Sequence, residues 1–101
     1  MTGVSNPFRY QYETVAAGQT TQVLGGTGAT GDYLHRIVVA VATAANSAVT
    51  VTDNATTVLS IPANTPIGVY SLAINALSAS GAWKITTASG VTVVAVGIFS
   101  A

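Results

Sequence analysis

The sequence predicts an all-β protein: an antiparallel β-sandwich, jelly-roll-like, of seven or eight strands with an extended N-terminal segment. Three observations predict it. Apolar runs rich in Val, Ile, Thr and Tyr, the residues that fit a pleated half-buried surface, recur roughly every 8–14 residues. Clusters of Gly, Asn, Asp, Ser and Pro separate them. No segment carries the 3.6-residue apolar period of an amphipathic helix. The 101 residues suffice for one domain, which divides into residues 1–18, an N-terminal arm or edge segment, and residues 19–101, the sandwich.

Residues 1–18 are the least regular. Asn6-Pro7 signals a turn, and Phe8, Arg9, Tyr10 and Tyr12 follow closely. Two readings stay open: a first strand on its own domain, or an arm whose aromatics dock on a neighbour, since Tyr, Phe and Arg are favoured at interfaces. Gln19–Leu24 reads as a short strand. Gly26, Gly28 and Gly31 then spell G-x-G-x-x-G, with Asp53 about 20 residues on. A dinucleotide site needs those glycines to open a helix. Here they open a β-branched strand, so the stretch reads as a flexible surface loop.

Asp32–Thr43 is the central strand, without Pro or Gly. Strict alternation points Tyr33, His35, Ile37, Val39 and Val41 one way and Leu34, Arg36, Val38, Ala40 and Ala42 the other. Both sets are largely apolar, which predicts a strand deep inside a sheet. Ala44–Ser47 turns. Ala48–Asp53 and Thr56–Ile61 are strands around a tight Asp53-Asn54 turn, and Pro62, Asn64 and Pro66 end the second. Asn54-Ala55-Thr56 matches a glycosylation sequon and reads as part of that turn. Ile67–Ala76 sets Tyr70, Leu72 and Ile74 against Val69, Ser71 and Ala73. Leu77–Ser80 turns, and Gly81–Thr87 sets Trp83 and Ile85 against Lys84 and Thr86. Ala88-Ser89-Gly90 reads as a short hairpin loop before Val91–Ser100, where Gly97 marks a bulge or close backbone approach.

Charge is the unusual feature. Three basic and three acidic residues give net charge +0, and only 6% of residues are charged, against about 25% in an ordinary domain. Such a surface has little repulsion to keep molecules apart and suits a subunit of an assembly. Arg9, Arg36 and Lys84 are too few to displace nucleic-acid counterions, so no nucleic-acid partner is expected. No apolar run reaches membrane-spanning length, and the N-terminus lacks a secretory pattern; no membrane partner is expected. With no cysteine, disulfides and thiolate metal sites are excluded.

The chemistry-bearing residues do not assemble into a site. His35, the single histidine, has no nucleophile context and reads as satisfied within the sheet or at an interface. One His with Glu13, Asp32 and Asp53 dispersed makes a poor zinc site and no glycosidase pair. No catalytic residue, metal or cofactor is expected. Trp83, with Tyr70, either fills the core or forms an exposed sugar-stacking platform; core is the commoner use.

The stretch Gly28–Ile37 (GATGDYLHRI), the segment Gly81–Thr87 (GAWKITT) and the closing VTVVAVGIFS resemble small virion proteins of tailed bacteriophages. Within that group the chain is similar to head decoration, or cement, proteins built on a β-sandwich or jelly roll, loosely over residues 28–100. The resemblance implies no enzyme activity. It implies a homo-oligomer, often a trimer, that binds the major capsid protein on the capsid exterior after synthesis in the host cytoplasm. The expectation is a capsid decoration subunit, with Phe8, Arg9, Tyr10 and Tyr12 as contact residues. The alternatives are a tail or fibre component, or a carbohydrate-binding module using Trp83 and Tyr70.

Overall fold

A computed structural model describes residues 10–43 and 47–101. They form eight strands: β1 (Gln11–Val15), β2 (Gln22–Val23), β3 (Tyr33–Val41), β4 (Val49–Asp53), β5 (Thr56–Ile61), β6 (Gly68–Leu77), β7 (Trp83–Thr86) and β8 (Val91–Ile98). One antiparallel sheet has the order β1-β8-β3-β6 and the other β2-β7-β4-β5. The first strand thus pairs with the last, the second with the seventh, the third with the sixth and the fourth with the fifth. This is the wound pairing of a jelly roll.

The core lies between the sheets. Leu34, Ile37, Val39 and Val41 of β3 and Val91, Val93 and Ala95 of β8 meet Val49, Val51, Trp83 and Ile85 of the opposite sheet. Their alternation with exposed residues is the period-2 pattern of a strand buried on one face. Trp83 is 2% exposed and donates its indole N–H to the Asp32 carbonyl oxygen at 2.9 Å, so the expected core position holds. Tyr70 packs against the core edge and donates its hydroxyl to the Pro66 carbonyl at 2.7 Å.

Two expectations are corrected. Strict alternation along β3 fails because the register slips between Leu34 and Arg36. Leu34 faces Gly97 and Arg36 faces Val96, so His35 is an additional residue on β3 relative to β8, a β-bulge. The bulge reverses the facing: Leu34 joins Ile37 in the core, while Tyr33 and His35 stand half-buried on the outer side with Arg36. Secondly, Ala88-Ser89-Gly90 is not a hairpin loop. β7 and β8 belong to different sheets, and this connection crosses between the layers. A short loop at the end of a sandwich can span the roughly 10 Å between layers as readily as it joins neighbours. Among the described residues the one hairpin is β4–β5; its turn is Asn54-Ala55, one residue beyond the expected Asp53-Asn54, with Asp53 still paired with Thr56 and Asn54 at φ 54°.

The glycine loop before β3 is packed rather than free. Gly25 and Gly28 have φ of 85° and 65°. A Cβ on Gly25 would lie 2.2 Å from the Ser100 carbonyl oxygen, and one on Gly28 2.3 Å from Ala82 Cβ. The amides of Thr27 and Gly28 both donate to the Ser100 carbonyl, at 3.3 and 3.2 Å. Glycine is used here for positive φ and for close approach of the chain end.

Candidate functional site

The carboxylates, the usual carriers of chemistry, are all occupied by the fold. Asp32, 8% exposed, accepts the Ala29 and Ser100 amides, each at 3.0 Å, and the Ser100 hydroxyl at 2.7 Å. Asp53 accepts the Ala79 amide at 2.7 Å and the Ser80 amide at 3.1 Å. Glu13 accepts the Gly25 amide at 2.8 Å and Gln22 Nε2 at 2.7 Å, tying the β1 edge to the β2 edge. Each one satisfies buried or half-buried amides in loops that a sheet ladder cannot reach. Among the described residues, no three of His, Asp or Glu lie close enough to share a metal ion.

What the molecule offers instead is a face. The outer surface of the β2-β7-β4-β5 sheet is mainly polar: Thr50, Thr52, Thr57, Ser60, Lys84 and Thr86 lie on it, with Val58 (47% exposed) the one large apolar side chain exposed there among the described residues. The outer surface of the β1-β8-β3-β6 sheet carries more apolar side chains, interspersed with Thr14, Ser71, Asn75 and Thr92. Val38 and Ala40 of β3 and Val94 and Val96 of β8 form its half-buried centre. Tyr12 (75% exposed), Val69 (71%) and Leu77 (66%) stand at its margins, with Ile98 beside them. Arg36 is the one Lys, Arg, Asp or Glu side chain on this face among the described residues.

One end of the face carries an aromatic cluster. Tyr10 stacks on His35, with ring centroids 4.7 Å apart and 21° between planes, and Tyr33 lies 5.9 Å from Tyr10 and 6.0 Å from His35. The Tyr33 hydroxyl donates to Asn75 Oδ1 at 3.0 Å and lies 3.3 Å from His35 Nδ1. The β3 bulge puts this cluster on the outside, because it turns the side that Tyr33 and His35 share away from the core while Ile37 stays in it.

Of the contact residues expected from sequence, Tyr10 and Tyr12 lie on this face and Phe8 and Arg9 lie outside the described residues. Gln11–Val15 is the edge strand β1, paired with β8. Sequence reading missed Tyr33, His35, Val69, Leu77 and Ile98 as members of the face. The available signal was the double apolarity of β3 and β8, which for β3 was read as a strand deep inside a sheet. In a two-layer sandwich only one side of each strand meets the core. Trp83 presents no face to solvent, so a sugar-stacking platform with Tyr70 has lost its indole. No protein-family model, curated protein or solved structure matches the chain.

Proposed function

We propose that this chain is a non-enzymatic structural subunit that uses the outer face of the β1-β8-β3-β6 sheet to dock on a larger protein assembly, and that the assembly is a bacteriophage head. In this reading it is a homo-oligomeric decoration or cement subunit, and its partner is the major capsid protein on the outside of the shell. The observation that carries the docking is the sidedness of the sandwich: one sheet turns mainly Thr, Ser and Lys to solvent, with Val58, while the other adds Tyr12, Val69, Leu77 and Ile98 among its Thr, Ser and Asn side chains. The attribution to a phage head adds the likeness of Gly28–Ile37, Gly81–Thr87 and Val91–Ser100 to small virion proteins. Jelly rolls also serve lectins and other domains, so the fold by itself does not choose among them. A chain of net charge +0 with 6% charged residues suits lattice contacts repeated many times, where each interface can be modest.

The test is a binding assay on purified heads lacking the chain. Wild-type protein is expected to bind in numbers comparable with the shell subunit. A Tyr12→Ser, Leu77→Ser double variant is expected to bind at least ~10-fold more weakly, with stability within about 0.5 kcal/mol of wild type per site because both residues are exposed. Binding of only a few copies per particle would move the chain to the tail or a vertex. Unchanged binding by the double variant would refute the assigned face.

A further inference from the structure

β6 is the longest strand, 10 residues, and it is an edge. Among the described residues β3 is the one strand that pairs with it, so its other flank presents a row of backbone N–H and C=O groups. Natural sheets protect their edges by short strands, charges, Pro or bulges. The other three edges follow that rule: β2 has 2 residues, β1 has 5 with Glu13 among them, and the β4–β5 ladder breaks register at Val51/Thr52. β6 contains no charge and no Pro, and no residue from Asn54 to Trp83 is charged. Its own ladder with β3 breaks register between Ala73 and Ala76, around Asn75 at φ 52°, as the β4–β5 ladder does, but the break sits near its C-terminal end and leaves Gly68–Ala73 regular. Ile67, Val69 and Leu77, three of the most exposed apolar side chains of the molecule, stand along this same edge.

We propose that the edge of β6 pairs antiparallel with β6 of a second copy across a two-fold axis, joining two four-stranded sheets into one of eight. A neutral edge offers a charged partner nothing to recognise, and it offers its own copy no repulsion. An antiparallel strand paired with itself is an isologous contact, the commonest closed symmetry. Pairing the regular stretch Gly68–Ala73 and bringing Ile67 and Val69 of both copies together makes a small interface, at or below about 1,000 Å² in total, the low end of specific interfaces. The dimer is therefore concentration-dependent. The pairing makes the apolar outer face continuous across the axis, so that one dimer presents two docking surfaces. The inference concerns the edge and holds whether or not the face docks on a shell.

The absence of cysteine allows a clean test. Single substitutions Val69→Cys, Ser71→Cys, Ala73→Cys, Asn75→Cys and Leu77→Cys place one thiol at each outward position of β6 in the full chain. Opposed residues of an antiparallel pair have Cα atoms about 4.5–5.5 Å apart, within disulfide reach. A residue two positions from the axis is separated from its own copy by roughly 13–14 Å. Mild oxidation at micromolar protein is expected to give disulfide dimers peaking at one position or two adjacent outward positions of β6. The yield should fall at least ~5-fold beyond them, with none from Thr14→Cys on β1 or Thr57→Cys on β5. Ala73→Lys, an exposed substitution, is expected to raise the dimer dissociation constant at least ~10-fold in sedimentation equilibrium without loss of fold. A chain monomeric up to about 1 mM, or cross-links peaking on β1 or β5, would overturn the pairing. A monomer whose β6 amides gain hydrogen-exchange protection only when shells are added would overturn the second copy in favour of a shell segment. Each of these results leaves the head-binding assay to stand or fall separately.

Discussion

Replacing Asp32 with alanine removes the acceptor of three hydrogen bonds that join the glycine loop to the end of β8. The Ala29 and Ser100 amides both point at Oδ2, and the Ser100 hydroxyl at Oδ1. Hydrogen bonds to a charged group contribute about 1.5–3 kcal/mol each, and an orphaned amide costs about 1–3 kcal/mol. Ala29 is exposed and Ser100 half-buried, so water recovers part of this loss. The expected destabilisation is about 3–4 kcal/mol, or roughly 12–20 °C in melting temperature for a domain of this size. Asp32→Asn separates geometry from charge. An amide oxygen placed at Oδ2 still accepts both backbone amides, and the amide nitrogen can donate to Ser100 Oγ. Its expected cost is only about 1 kcal/mol. The assay is urea unfolding followed by Trp83 fluorescence, with unchanged slope required before stabilities are compared. An asparagine variant as unstable as the alanine variant, or an alanine variant within about 1 kcal/mol of wild type, would refute this account of the Asp32 hub.

Two further outcomes follow from the packing. Trp83→Phe loses the indole bond to the Asp32 carbonyl and leaves a small void beside Ile85, and is expected to cost about 1.5–3 kcal/mol. Acrylamide quenching of native Trp83 should be slow, and rapid quenching would contradict its burial. Gly97→Ala places a Cβ 2.0 Å from the Tyr33 carbonyl oxygen and 3.0 Å from the Phe99 ring, between paired strands that cannot separate without losing their ladder. It is expected to cost more than about 3 kcal/mol or to prevent folding. Gly18→Ala, where φ is +76° and no atom lies within 4 Å of the added Cβ, is expected to cost only about 1 kcal/mol. Equal thermal stabilities of the two alanine variants would show that the close approach at Gly97 does not exist.

Strand existence and most strand faces were legible in the chain because they depend on short-range pattern. The alternation of Val49 and Val51 with Thr50 and Thr52, of Trp83 and Ile85 with Lys84 and Thr86, and of Val91 and Val93 with Thr92 and Val94 assigns one face of each strand to a core. The β4–β5 turn was legible to within a residue because Asn54 tolerates the left-handed angle it takes, although Asp53 stays in the strand and Ala55 completes the turn. The outer apolar face was only half legible. Tyr10 and Tyr12 stand out by type, but Val69, Leu77, Val94 and Val96 are residues of the same kind as the core. Composition does not say which side of a doubly apolar strand is covered by its own chain.

The sequence by itself determined an all-β sandwich of few charges, with an N-terminal segment rich in aromatics. Only the tertiary structure decided the winding of β1 on β8 and β2 on β7, the crossing of Ala88–Gly90 between layers, and the slip at His35 that sends Leu34 inward and Tyr33 outward. It alone revealed that Glu13, Asp32 and Asp53 are spent on loop amides and that β6 ends its sheet, with no described strand beyond it. The physical reason is range. Pattern and turn chemistry act over a few residues, whereas pairing, register and edge position are set by contacts between residues such as Asp32 and Ser100, far apart in the chain and adjacent only once both sheets have closed on one another.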